Sequence, residues 1–126
     1  MNIPIEVIMK ILVDDIRDVE QVGNVLSQAG AKLPEGFEFD VVLRSYDEAL
    51  NFFSSFKGEF DLFLDHDLGA EQDRDNGYTL FNRISEMGLS PRILYIVTSN
   101  PVGHKAITAA ADNAGMRRLT SRVFSF

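Results

Sequence analysis

The stretch that decides the fold is residues 7–15, which read VIMKILVDD. Its first seven residues are apolar except for Lys10. A short run that is apolar at nearly every position is typical of a strand buried on both faces, as in a parallel sheet. The run ends in two carboxylates, Asp14 and Asp15. The sequence therefore predicts a first strand inside a helix-covered sheet, with acidic side chains at its carboxyl end.

Outward from this strand, helical and strand patterns alternate along the chain. Apolar residues at steps of three and four predict a first helix over 19–29, which Gly30 ends. Further strands are predicted at 37–43, 60–64 and 92–98. Further helices are predicted from Ser45 to about 58, around 80–88, and from Pro101 to about 115. The tail, residues 119–126, alternates imperfectly and predicts a short fifth strand.

This order predicts an α/β fold, a doubly wound parallel sheet with right-handed crossovers and helices on both faces. Five strands favour the flavodoxin-like order 2-1-3-4-5, in which a crevice opens where strands 1 and 3 part. The 126 residues contain no repeat and no linker, so we expect a single domain over 1–126.

Composition excludes several classes of function. The chain has no cysteine, which excludes disulfides, thiolate zinc sites and cysteine nucleophiles. Its formal net charge of −7 argues against duplex DNA as a partner. No apolar run reaches the ~18 residues that a membrane span needs, and the N-terminus lacks the features of a signal peptide. We therefore expect a cytoplasmic protein that does not bind membranes.

Polar side chains follow three of the predicted strands at the point where each strand ends. Because parallel strands end at one edge of the sheet, these side chains are expected to lie close together. Gathered carboxylates repel one another unless a cation lies between them, and Mg²⁺ prefers hard oxygen ligands. We therefore predict a site for Mg²⁺ or Mn²⁺ at Asp14, Asp15 and Asp65. The alternative is that these aspartates cap helices and turns.

Candidate phosphate ligands lie in the same predicted loops. His66 follows the third strand, and histidine exchanges protons near neutral pH. Residues 99–103, SNPVG, lie at a helix N-terminus, where free N–H groups attract anions. His104 comes directly after them. Plain helix capping by Ser99 or Asn100, and surface positions for both histidines, are the alternatives.

Three segments resemble the receiver domain of two-component response regulators: residues 10–15 (KILVDD), residues 61–65 (DLFLD) and the pair Thr98-Ser99. The resemblance implies that Asp14 and Asp15 hold Mg²⁺, that Asp65 accepts phosphate, and that the backbone carbonyl of Asp67 completes the metal shell. The chain departs from that family where His66-Asp67 replaces a Met-Pro turn. It also lacks the lysine that follows the fifth strand, and the last helix of the fold is expected to be missing.

A second resemblance covers residues 11–116. Residues 64–69 (LDHDLG), 76–78 (NGY) and 99–103 (SNPVG) are similar to motifs of the cyclic-phosphate-processing receiver domains, a divergent receiver group. The resemblance implies a receiver-like fold that processes cyclic phosphates.

Three functions remain open from the sequence. The first is a metal-dependent phosphoesterase acting on a cyclic phosphate of a small nucleotide or an RNA end, with Asp65 and His66 as its catalytic groups. The second is a receiver phosphorylated on Asp65, or a receiver-like module that binds a protein partner without turnover. The third is a structural or inhibitory protein that only keeps the fold. For the first, the predicted metal ligands are Asp14, Asp15, Asp65 and Asp67, and the predicted phosphate ligands are Thr98, Ser99, Asn100, Gly103 and His104.

Overall fold

Strands and helices alternate along the chain until its last two strands. The computed structural model describes residues 7–69 and 74–126. In order, the elements are β1 (Met9–Val13), α1 (Val19–Ser27), β2 (Val41–Leu43), α2 (Tyr46–Ser54), β3 (Phe60–Leu64), α3 (Gly77–Glu86), β4 (Ile93–Ile96), α4 (Pro101–Asn113), β5 (Arg117–Arg118) and β6 (Val123–Ser125). The predicted loop before α3 falls partly on residues 70–73, which lie outside the described residues.

The first four strands form a parallel sheet in the order β2-β1-β3-β4. All five residues of β3 are buried, as are the last three of β1, which confirms the prediction of strands covered on both faces. The receiver-like α/β fold is therefore confirmed. The carboxyl ends of β1 and β3 are adjacent, and the predicted site residues follow them.

The prediction of a fifth parallel strand is wrong. Strand β5 contains two exposed arginines and pairs antiparallel with β6, which itself pairs antiparallel with β4. The position next to β4 in the sheet is buried, and β6 occupies it with the buried side chains of Val123 and Phe124. The order is therefore β2-β1-β3-β4-β6-β5, with a hairpin in place of one parallel strand.

Helices cover the two faces of the sheet unequally. Three helices, α2, α3 and α4, pack on one face around residues such as Leu62 and Leu64. The other face has α1 and a set of aromatic rings around Phe63. No helix among residues 7–69 and 74–126 is long and apolar enough to cross a membrane.

The second strand is shorter than predicted. Its hydrogen-bonded part is β2, and the preceding Phe37 and Phe39 lie outside it. Their rings pack on Phe63, with centroid distances of 5.6 and 4.9 Å, and Tyr95 stacks on the same ring at 4.1 Å. The apolar pattern at 37–39 thus reflects burial against the sheet face and not strand pairing.

Candidate functional site

Three carboxylates meet at the carboxyl ends of β1 and β3. Asp14 and Asp65 are buried, with 0% and 3% of their surface exposed, whereas Asp15 is exposed. One oxygen from each of the three lies within 4.8 Å of the others. The structure therefore brings together three of the four residues that the sequence predicted as metal ligands, Asp67 being the fourth.

An arginine lies among these carboxylates. The Arg17 Nη1 atom is 3.0 Å from Asp14 Oδ2 and 3.4 Å from Asp65 Oδ2. Its Nη2 donates to the Ser99 hydroxyl at 3.0 Å. Sequence reasoning missed Arg17, although its spacing of three residues from Asp14 was a usable signal. One guanidinium thus connects the acidic triad to the predicted phosphate ligands.

The loop that carries Arg17 is fixed from two sides. Asp14 Oδ1 accepts from the backbone N–H groups of Ile16 and Arg17 at 3.0 and 2.9 Å. The Arg44 guanidinium donates to the carbonyls of Asp14 and Arg17 at 3.2 and 2.6 Å. The capping alternative is therefore correct for one oxygen of Asp14, while its other oxygen faces Arg17.

The pKa of Asp65 is raised from its ordinary value of 3.8 to about 6. Burial is the largest cause and the negative charge of Asp14 is the next. Three groups act in the opposite direction and lower the pKa: the positive charge of Arg17, the backbone N–H of His66 at 2.8 Å, and the Thr98 hydroxyl. Their combined effect is too small to return the pKa to 3.8. The triad therefore has more negative charge than its surroundings stabilise, which favours uptake of a cation.

His66 is held between the β3 loop and α4. Its ring packs directly on Gly103, where any Cβ would overlap the ring atoms. The Nδ1 atom is 3.1 Å from Asp67 Oδ1, and Asp67 also receives the Asn100 amide at 3.4 Å. Because an ionised carboxylate only accepts hydrogen bonds, this contact favours the tautomer that has its proton on Nδ1.

Two glycines shape the loop between β3 and α3. A Cβ at Gly77 would overlap the carbonyl oxygen of Asp65, and the Gly77 N–H donates to the His66 carbonyl at 2.8 Å. Gly69 has a φ of +66°, and Asp15 Oδ2 lies 3.5 Å from where its Cβ would be. Both glycines therefore hold backbone close to the site.

The predicted phosphate ligands are brought to the same edge, but most of them have partners inside the protein. Asn100 caps α4 by accepting from the N–H groups of Val102 and Gly103 at 3.0 and 3.3 Å. The Thr98 hydroxyl accepts from the Asn100 N–H at 3.1 Å. His104 Nε2 lies 2.7 Å from the Ser121 carbonyl oxygen, which connects α4 to the C-terminal hairpin.

The antiparallel hairpin brings a second arginine to this edge. Arg122 immediately precedes β6 and donates to the carbonyls of Ile96 and Thr98 at 3.0 and 2.7 Å. Burial and the nearby charge of Arg17 lower its pKa. No local pattern predicts this placement of Arg122, because it depends on the direction of the last strand.

The donor set fits a hard divalent cation. All three ligand groups are carboxylates, two are rigidly held, and Asp15 leaves an open side toward solvent. Mg²⁺ and Mn²⁺ are commonly bound by one to three carboxylates with waters completing the shell. The acidic triad thus meets the requirements of the metal site predicted from sequence.

A known protein family matches most of the chain. The family described as "Cyclic-phosphate processing Receiver domain" matches residues 9–113, which include the acidic triad, His66 and the start of α4. Neither the curated proteins nor the solved structures gave a significant match. The family match spans most of the chain and confirms the second resemblance seen in the sequence. The chain belongs to the family of cyclic-phosphate processing receiver domains.

Proposed function

We propose that this protein hydrolyses a cyclic phosphate, on a small nucleotide or an RNA end, in a reaction that depends on Mg²⁺ or Mn²⁺. The observation that carries the proposal is the acidic triad lying beside His66 at one edge of the sheet. His66 also contacts the Asp67 carboxylate through Nδ1, and a histidine placed beside a carboxylate is a common proton-transfer group. The family description supports the class of substrate.

The metal would be held by the carboxylates of Asp14, Asp15 and Asp65, with the backbone carbonyl of Asp67 as a further ligand. When bound, a divalent cation polarises a phosphoryl oxygen and lowers the pKa of a bound water. The buried positions of Asp14 and Asp65 strengthen their interaction with any cation, because water screens buried charges poorly.

His66 would transfer the proton. In hydrolysis, the water oxygen forms a new P–O bond while one P–O bond of the ring breaks, and the departing oxygen needs a proton. The Nε2 atom accepts the proton of the water, or donates one to the departing oxygen, while Asp67 stabilises the ring at Nδ1. Packing on Gly103 keeps the ring in one place throughout.

The phosphate would lie against the start of α4. Ser99 and Asn100 offer a hydroxyl and an amide at the mouth of the site, and both already contact charged side chains there. Thr98, Gly103 and His104 complete the proposed set. The N-terminal end of α4 adds a favourable dipole for an anion.

The test is ³¹P NMR of 2′,3′- and 3′,5′-cyclic nucleotides with protein and Mg²⁺ or Mn²⁺. We expect the protein to convert one class of cyclic resonance to a phosphomonoester. Asp65→Asn and His66→Ala are expected to abolish conversion. Asp112→Asn, which removes the same charge from the exposed surface of α4, should not affect it. Persistence of every resonance would exclude hydrolysis of these nucleotides and leave RNA ends to be tested.

A phosphoaspartate switch is the second candidate. The observation in its favour is that Asp65 already has a hydroxyl and a guanidinium beside it, those of Thr98 and Arg17. Acetyl phosphate with Mg²⁺ should then give a labile adduct of about 80 Da on Asp65, seen by mass spectrometry. An intact protein without the adduct would remove this candidate.

A further inference from the structure

The position of Arg17 is unexpected for a metal site. Its guanidinium contacts Asp14 Oδ2 and Asp65 Oδ2, and these two carboxylates belong to the acidic triad that would hold a divalent cation. We propose that Arg17 is the phosphate-binding cation of this site and that it changes partners. It bonds the carboxylates when no metal is bound, and it bonds the phosphate of the substrate when the metal is present. The inference rests on the proposed metal-dependent function.

A bound metal would compete with Arg17 for the carboxylates. Asp14 has one oxygen engaged by backbone N–H groups, which leaves Oδ2 as its available ligand atom. That atom is the one Arg17 contacts, at 3.0 Å. A cation bound there repels the guanidinium and removes its acceptors, so Arg17 must find another anion nearby.

The Arg17 side chain already contacts one of the proposed phosphate ligands. Its Nη2 donates to Ser99 Oγ at 3.0 Å, while Nη1 lies on the carboxylates. The backbone of Arg17 is anchored by Asp14 and Arg44, so the side chain can change partners without unfolding the loop. A planar guanidinium has two parallel donors, so a phosphate, with several acceptor oxygens, is a better partner for it than a single hydroxyl group.

Four other cations have partners of their own. Arg44 and Arg122 each donate to two backbone carbonyls. Lys10 and Arg92 pair with Asp61, near the opposite end of β3. Among residues 7–69 and 74–126, Arg17 is thus the basic side chain that contacts the acidic triad.

A thermodynamic coupling follows from this exchange. Metal alone must displace Arg17, which weakens metal binding. A phosphate gives the displaced guanidinium a new partner, so metal and phosphate each increase the affinity for the other. Without Arg17, metal should bind more tightly by itself, and phosphate should lose its effect.

The experiment measures Mn²⁺ affinity by electron paramagnetic resonance, with and without inorganic phosphate. In the unmodified protein, phosphate is expected to tighten Mn²⁺ binding roughly fivefold or more. Arg17→Gln should bind Mn²⁺ alone at least about fivefold more tightly than the unmodified protein, with a phosphate effect below about twofold. Arg17→Lys keeps the charge without the planar fork, so it should compete for the carboxylates but show a weaker phosphate effect.

The control variant is Arg122→Gln. It removes the same charge near the site from a side chain that bonds carbonyls rather than carboxylates. An increase in Mn²⁺ affinity as large as that of Arg17→Gln would mean that net charge explains the effect, and would overturn the proposal. The proposal would also be overturned if Arg17→Gln bound Mn²⁺ with the same or lower affinity than the unmodified protein. The metal site itself would still be supported in that case. If neither the unmodified protein nor any of its variants binds Mn²⁺, both this proposal and the proposed metal-dependent function are wrong.

Discussion

Strand β3 has a buried aspartate near each of its ends, and the two have opposite surroundings. Near the amino end, Asp61 is 1% exposed and forms two hydrogen bonds with Arg92, at 3.0 and 2.7 Å. Lys10 adds a second cation at 3.4 Å. Just past the carboxyl end, Asp65 is 3% exposed and shares one arginine with Asp14.

The two ends of β3 therefore differ in how far the charge of the buried carboxylate is compensated. Two cations contact one carboxylate at the amino end, so the negative charge of Asp61 is compensated. At the carboxyl end, three carboxylates lie together, and within the described part of the chain one arginine, Arg17, contacts two of them, so the cluster has a net negative charge. An uncompensated buried cluster costs stability, and it is retained where a ligand uses it.

The largest expected effect is on hydrolysis. Asp65→Asn should lower the rate at least about 10³-fold, a loss of about 4 kcal/mol of transition-state stabilisation, because it removes a metal ligand. Asp61→Asn, measured where the variant is folded, should keep the rate within about threefold. The ³¹P assay measures both. Similar losses for the two variants would break the comparison.

The next effect is on stability at the amino end of β3. Asp61→Asn leaves Arg92 and Lys10 without their carboxylate, so we expect the free energy of unfolding to fall by about 2–4 kcal/mol. Urea denaturation followed by circular dichroism measures it. Asp112→Asn, which removes a carboxylate from an exposed pair with Arg118, is the control and should change stability by less than about 0.5 kcal/mol. A neutral result for Asp61→Asn would show that the pair is not structural.

At the carboxyl end of β3, replacing the buried aspartate by asparagine should increase the free energy of unfolding instead of lowering it. The pKa of Asp65 is about 6 in the folded protein and ordinarily 3.8. Folding therefore takes up protons between these values, and stability falls as pH rises from about 4 to about 6. Asp65→Asn should be more stable than the unmodified, metal-free protein above pH 6, by about 1–3 kcal/mol, and nearly equal to it below pH 4. Urea titrations across this range would contradict the account if the substitution destabilised the protein at pH 7.5.

A smaller effect tests how His66 is held. Gly103→Ala places a methyl group against the His66 ring, so we expect a loss of about 1–2 kcal/mol in stability. Because the clash is with one side chain, His66→Ala should restore most of the loss when combined with it. Gly23→Ala is the control, since its Cβ would meet only Leu33, at 3.8 Å, and should stabilise α1 by about 0.5–1 kcal/mol. Additive effects of the two substitutions would show that Gly103 does not position the histidine.

The sequence predicted the parallel part of the fold well, because that part depends on local patterns. Strands buried on both faces have continuous apolar runs, and capping residues such as Asn100 mark where helices begin. The C-terminal hairpin was missed because strand direction depends on which residues are buried beside β4. Val123 and Phe124 are buried there, and the arginines of β5 are not.

The site was predicted in its acidic part and missed in its basic part. Aspartates at strand ends are recognisable because topology places strand ends together. Arginines have long side chains, and their partners are set by loop geometry that a sequence does not display. Arg17 donates to Ser99, which is 82 positions away in the sequence. Arg122 lies near the site because β6, the strand that follows it, is antiparallel to β4.

The most direct test of the account is calorimetric titration of Mn²⁺ into three forms of the protein. The account predicts one Mn²⁺ bound per chain in the unmodified protein, the same affinity within about twofold in Asp61→Asn, and a loss of roughly 100-fold or more in Asp65→Asn. Equal binding in Asp65→Asn, or no binding to the unmodified protein, would contradict the claim that the carboxyl end of β3 holds a metal.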